Sequence, residues 1–246
     1  MNYLVVIPYI QREAQGMELE LAINGWLKHF KEDFTLVIVG DWNPILDRYP
    51  IVRFLNCPRV TKTAEGNYLP HIDFVKKFTM AMKYYPGRDG FIYSCDDIYA
   101  VNDFTIDDVK ALKYIGWLDY NPQSPNAWRR DAMRTQRKLR DMGFPQRDFT
   151  THTPVWFDWE KLKALFVSFN MSEVSYVVET LYFNYFHPVS PAVLLDGDDK
   201  YKYTSRSTRP DIERLMRAFS EKIWINNNPD GYVTALESLL KEHYGL

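Results

Sequence analysis

The chain has 246 residues, 46% of them hydrophobic and 25% charged, and its formal net charge is -2. This composition excludes disordered, collagen-like and coiled-coil chains and is long enough for one sizeable core. The near-neutral total gives no whole-molecule attraction to nucleic acid or anionic membrane, so such a partner would have to be met by a local patch.

Short, solid apolar runs alternate with longer amphipathic stretches, which predicts an α/β chain whose strands are buried on both faces with helices between them. Residues 3–7 form the first β-branched run and stop at Pro8, and 17–30 follow with apolar side chains at helical spacing. No basic leader precedes that run, and the apolar region 174–195 is interrupted by Glu179, Asn184 and His187. A cytoplasmic chain without a membrane span is therefore expected. Runs at 34–39 and 51–55 predict strands, the first stopping at Gly40-Asp41 and the second at Asn56-Cys57-Pro58. Cys57 and Cys95 make no disulfide framework and fit a reducing compartment.

A helix is expected over 72–85, closed by Pro86-Gly87, before the strand 91–93 that runs into Ser94-Cys95-Asp96-Asp97. Residues 114–118 read as a strand, 121–126 as a loop long enough to be functional, and 128–142 as a basic helix. An extended segment is expected over 151–157, helices over 159–169 and 173–186, a polar tail from Lys200, and a last helix over 233–243. The high aromatic content, 16%, is explained by an aromatic core or by stacking surfaces for flat ligands.

Two carboxylates directly after an apolar strand, Asp96 and Asp97, stand where ligands bind in open α/β sheets. Held close in a partly desolvated site they raise each other's pKa unless a cation neutralises them. Mg²⁺ or Mn²⁺ suits such oxygens and completes its shell with water and a ligand's phosphates. The plainer alternative is that Asp96 caps a turn and Asp97 is solvated.

The start VVIPYIQRE, then LVIVGD, then FIYSCDD, resembles the nucleotide-binding half of the GT-A glycosyltransferases. The resemblance implies a Rossmann-like mixed sheet flanked by helices, in a single domain with a helical C-terminal part. Residues 1–120 would bind the nucleotide-sugar donor and 121–246 the acceptor. It implies donor contacts at Pro8, Tyr9, Arg12, Asp41 and Asp96, and a metal on Asp96 and Asp97, although the usual Asp-x-Asp spacing is replaced here by Asp-Asp. Three later segments, YSCDDIYAVNDF, THTPVWFDWEKL and FSEKIWINN, resemble blocks of the Stealth-type sugar-phosphate transferases. Asn227 stands where that family has an acid, and the family's N-terminal Trp-Val-Asp motif is absent. Transfer of a sugar-1-phosphate is thus an alternative to transfer of the sugar.

His152, between Thr151 and Thr153 and before Pro154, could bind diphosphate, orient the acceptor or ligate the metal, or could be a histidine satisfied by backbone carbonyls. His29, His71 and His243 read as positions without partners. A base for the acceptor hydroxyl is expected at a helix start. Glu173 fits that place and equally fits a capping box with Asn170. Asp158 and Glu179 are further candidates.

The basic run that includes Arg129, Arg130 and Arg134 has a local charge of +5, and a second run over 200–222 has +4. Either could grip a phosphate or an anionic acceptor, a glycan or a modified base in phage DNA, or could be a solvated helix face. A non-catalytic nucleic-acid-binding protein is the reading from outside enzymology.

Overall fold

The computed structural model describes residues 2–59, 69–119 and 126–246. Of the expected functional loop at 121–126, residues 121–125 lie outside the described residues and Asn126 caps the following helix. Strand β1 (Tyr3–Tyr9) is followed by helix α1 (Glu18–His29), β2 (Phe34–Gly40) and β3 (Arg53–Asn56). Next come α2 (Pro70–Tyr84), β4 (Gly90–Tyr93), β5 (Ile98–Ala100), α3 (Ile106–Lys110) and the two-residue β6 (Lys113–Tyr114). The second half contains α4 (Ala127–Asp141), β7 (Val155–Asp158), α5 (Trp159–Ser168), α6 (Val178–Phe186) and β8 (Val193–Leu194). It ends with β9 (Lys202–Ser205), α7 (Ile212–Glu221), β10 (Trp224–Asn227) and α8 (Thr234–Tyr244).

The main sheet has the order β3-β2-β1-β4-β7; its first four strands are parallel and β7 runs antiparallel to β4. β1 is buried along its whole length because its alternate side chains enter two different cores. Leu4 and Val6 join Phe78, Phe91, Phe157 and Leu181 on one face; Val5 and Ile7 join Ile23, Trp26 and Ile38 on the other. Most of the aromatic content is spent here: Phe78, Phe91, Tyr93, Phe157 and Phe183 form a chain of ring contacts. Core packing, not ligand stacking, therefore accounts for these rings.

The polar tail expected from Lys200 is instead part of a second sheet, ordered β5-β10-β9. β10 is antiparallel to β5, with Ile225 opposite Tyr99, and parallel to β9, with Ile225 opposite Tyr203. Tyr99 and Ile225 pack with Leu21, Leu236 and Leu240, so α1 is held between the main sheet and α8. The expected strand at 114–118 is reduced to Lys113–Tyr114, pairing with β8. Among the described residues no helix is long and apolar enough to cross a membrane.

Candidate active site

The strand order of the main sheet reverses at β1, with β2 and β3 on one side and β4 on the other. In an open α/β sheet the crevice at the carboxyl ends of such strands is the ligand site. Pro8 and Tyr9 end β1, Asp41 follows β2, and Asp96 and Asp97 follow β4. A Cβ on Gly40 would lie 1.8 Å from the Tyr9 carbonyl oxygen, so only glycine lets the end of β2 close against β1. That carbonyl accepts hydrogen bonds from the Asp41 amide (3.2 Å) and from Lys77 Nζ (3.3 Å). Lys77 is buried from solvent and paired at 2.7 Å with buried Asp73, so a fixed ion pair underlies the strand end.

Above it lies a cleft of about 310 Å³ whose lining includes Pro8, Glu13, Glu18, Asp96, Asp97 and Asn227. Among the described residues no lysine or arginine lines it. Burial raises the Asp96 carboxyl well above the usual carboxylate range, and the charges of Asp97 and Glu18 add to the shift. Burial also raises Glu18, against hydrogen bonds that favour its charged form: Asn227 Nδ2 donates to Glu18 Oε1 at 2.8 Å, and the Gln15 amide donates to Oε2 at 2.6 Å. Tyr99 Oη donates to Asn227 Oδ1 at 2.6 Å. Position 227 thus needs both a donor and an acceptor, which an amide supplies and a charged acid would not.

β7 pairs antiparallel with β4, Val155 opposite Tyr93, and this carries the segment before β7 to the acidic turn. His152 Nδ1 lies 3.5 Å from Asp97 Oδ2. His152 is not extended as expected: its φ is +47°, a conformation rare for residues with side chains and found at strained functional positions. Thr151 and Thr153 share a hydroxyl hydrogen bond of 2.8 Å beside it, and Lys202 Nζ donates to the Thr151 carbonyl. Burial lowers Lys202 to about 8, opposed by the charges of Asp199, Asp97 and Asp148. Glu179, in the first turn of α6, has a buried Oε2 without a hydrogen-bond partner among the described residues. Burial raises its carboxyl to about 7, against the favourable charge of His152. Three segments far apart in sequence therefore meet: Asp96 and Asp97, His152, and Asn227, with Glu179 near the histidine.

Other expected residues lie differently. Tyr9 is buried and its hydroxyl accepts from Asn43 Nδ2 at 2.7 Å, so β1 reaches the site through its backbone. Asp41 Oδ2 accepts from the Gln11 amide at 3.0 Å, tying together the loops that follow β1 and β2. Arg12 is exposed, 3.4 Å from Glu13. Glu173 is exposed in a turn, and the following helix starts at Val178. Neither reading of Glu173 as a helix-start residue holds: Asn170 adopts φ +48° and does not cap. The helix-start acid is Glu179. Asp158 stands at the opposite end of β7, facing Gly90, and caps α5 by accepting from the Lys161 amide. Arg129, Arg130 and Arg134 are on α4, where Arg134 pairs with Asp131 at 3.0 Å and donates to the Ser175 carbonyl. His29 and His243 do have partners: their Nε2 atoms are 2.9 Å apart, and His29 Nδ1 is 3.0 Å from Asp103.

Among the described residues no group of three or more His, Cys, Asp or Glu side chains is arranged to hold a metal by itself. Asp97 Oδ1, next to Asp96, is nonetheless buried without a hydrogen-bond partner among the described residues. A hard cation that takes one or two carboxylates and keeps water or phosphate oxygens for the rest of its shell fits this donor set.

No family model matches the sequence, and no curated protein is similar to it. Among solved structures, the bifunctional glycosyltransferase WbbM superposes with a TM-score of 0.53 at 12% identity, over 92% of this chain. The fold is that of a GT-A-like glycosyltransferase. The chain spans 45% of the WbbM structure. GlyE, a glycosyltransferase of Streptococcus pneumoniae TIGR4, gives 0.48 at 10% identity, covering all of this chain and 60% of its own. Mouse xyloside xylosyltransferase 1 gives 0.45 at 8%, covering 94% of this chain and 99% of its own.

Proposed function

We propose that the protein transfers a sugar from a nucleotide-sugar donor to an acceptor hydroxyl, with Mn²⁺ or Mg²⁺ held by Asp96 and Asp97. The observation that carries this reading is the acidic cleft at the sheet's switch point. A nucleoside diphosphate entering a wall of Glu18, Asp96 and Asp97, with Glu13 already paired to Arg12 and Arg59 and no lysine or arginine among the described lining residues, needs a cation between the like charges. When bound, the divalent ion supplies positive charge toward the departing diphosphate.

The chain's own residues divide the remaining work. Pro8 and the Asp41-bound loop after β1 border the donor. His152, paired with Asp97, faces the same centre and offers a hydrogen bond to phosphate or acceptor. Glu179 is assigned the acceptor's proton, taken at Oε2. Its carboxyl near 7 is basic enough for that role at neutral pH.

The convergence of Asp97, His152 and Asn227 supports one second reading, sugar-1-phosphate transfer, because these are the segments that resemble the Stealth-type enzymes. Product analysis separates the two. Purified protein is incubated with a panel of nucleotide sugars and Mn²⁺: release of nucleoside diphosphate supports sugar transfer, and release of nucleoside monophosphate supports phosphosugar transfer. Asp97→Asn abolishes turnover on either route. Wild-type turnover in that variant contradicts both.

A further inference from the structure

Apart from the proposed donor cleft, a groove of about 760 Å³ lies between the 196–199 turn, β9 and α7. Lys202 lines it, and the same side chain donates to the carbonyl of Thr151, next to His152. A side chain of the groove wall therefore touches the segment that carries His152.

Its walls carry both signs, but the two are used differently. Asp199 accepts from the amides of Gly197, Tyr201 and Lys202; Asp196 accepts from the Asp198 amide; Asp211 caps α7 through the Arg214 amide. The carboxylates of Asp196, Asp199 and Asp211 are thus turned to backbone donors that build the turn and the helix start, while Asp198 and Glu221 also line the groove. Lys222 Nζ likewise holds the carbonyls of Gly197 and Asp199. Arg206, Arg214 and Arg217 are exposed on the groove, and no ion pair engages any of them among the described residues. Arg214 stacks over Tyr203, 5.7 Å from the ring centroid, which leaves its N–H edge available. Lys202 is largely removed from water with a carbonyl as its hydrogen-bond acceptor and no carboxylate within ion-pair distance among the described residues. Guanidinium forks and a partly desolvated ammonium on one wall match carboxylate or phosphate groups of a ligand.

We infer that this groove binds the acceptor, and that the acceptor is an anionic saccharide whose carboxylate or phosphate groups are held by Lys202, Arg206, Arg214 and Arg217. The inference rests on the sugar-transfer reading for the word acceptor; the ligand class rests on the groove alone. The basic helix α4 is not part of this lining, so the second basic run of the sequence, not the first, supplies the contacts.

Calorimetric titration at low salt compares oligogalacturonate (carboxylates), a phosphomannan oligosaccharide (phosphates), neutral maltoheptaose and a DNA oligonucleotide. The expected result is binding of one or both charged saccharides, weakened by added salt, with the responding arm naming the anionic group. The double substitution Arg206→Ala, Arg217→Ala weakens it at least about tenfold. Both side chains are exposed, so the melting temperature is expected to hold; the single variants serve if the double variant melts early. Equal binding of maltoheptaose, tighter binding of DNA than of either charged saccharide, or unchanged affinity in the folded variants overturns the inference. Nucleoside diphosphate with Mn²⁺ is titrated into the same samples. Saccharide binding without nucleotide binding contradicts sugar transfer and leaves the groove's ligand class standing, whereas the reverse pattern contradicts the groove.

Discussion

Glu179 sits in the first turn of α6 with Oε2 buried and without a hydrogen-bond partner among the described residues, and burial holds its carboxyl near 7. An acid with a raised folded-state pKa contributes stability below its unfolded value, near 4.5, and loses it as pH rises through about 7. Glu179→Gln removes that charge, so the variant is expected to be more stable than the wild type at pH 8, by on the order of 1 kcal/mol. The advantage shrinks toward pH 5, and turnover is lost. Urea unfolding at the two pH values checks the sign; a variant less stable than the wild type at pH 8 contradicts a charged, unpartnered Glu179. His152 offers a parallel case, because its left-handed backbone is strained while its side chain is half exposed. His152→Ala is expected to abolish turnover with a melting temperature within a few degrees of wild type; a large drop in melting temperature would assign His152 to the scaffold. Asp96 and Asp97 were singled out in sequence because they directly follow an apolar strand, where ligands bind in open α/β sheets. Glu179 was not singled out over Glu173, because Asn170-x-x-Glu173 imitates a capping box. The left-handed turn at Asn170 that moves the helix start to Val178 leaves no such signature.

Lys77 and Asp73 lie one turn apart on α2, both buried, and Lys77 also donates to the Tyr9 carbonyl at the end of β1. Removing one partner of a buried pair is strongly destabilising, and Lys77→Met also removes the donor to the Tyr9 carbonyl, so it is expected to cost about 3 kcal/mol or more by urea unfolding. A loss below about 1 kcal/mol would mean that the pair does not support the strand end. Helix α8 docks on α1 partly through His243 and His29. Burial lowers His243 from 6.5 to about 4 and His29 more modestly, with the neighbouring lysines adding to both. Their neutral forms therefore give α8 full docking stability above pH 6.5, which is lost as pH falls toward 4. Hydrogen exchange, corrected for intrinsic rates, is expected to show α8 losing more protection than β1 between pH 7 and pH 5; equal losses would contradict this coupling. Helices α1, α2, α4, α5, α6 and α8 and the central strands were legible from the spacing of their residues, since β1, β2 and β4 are solid apolar runs, whereas α3 and α7 were not expected. The β5-β10-β9 sheet was not, because its strands are three or four residues long and β10 pairs with β5 across some 120 residues of chain.

At the scale of the whole molecule, the antiparallel strand β7 brings His152 to the acidic turn, and the second sheet brings Asn227 to the same cleft. The proposed donor cleft is acidic, while the groove beyond Lys202 carries Arg206, Arg214 and Arg217, which no ion pair engages among the described residues, so unlike charges flank the proposed centre. The order of these segments was visible in sequence as three separated blocks, but their meeting was not, since it depends on sheet order and strand direction. The measurement that tests the account most directly is calorimetric titration of nucleoside diphosphates into the wild type and Asp97→Asn, each with and without Mn²⁺. The account predicts binding of at least one nucleotide to the wild type only when Mn²⁺ is present, and none to the variant. Nucleotide binding that ignores both the metal and the substitution, or no binding under any condition, would contradict it.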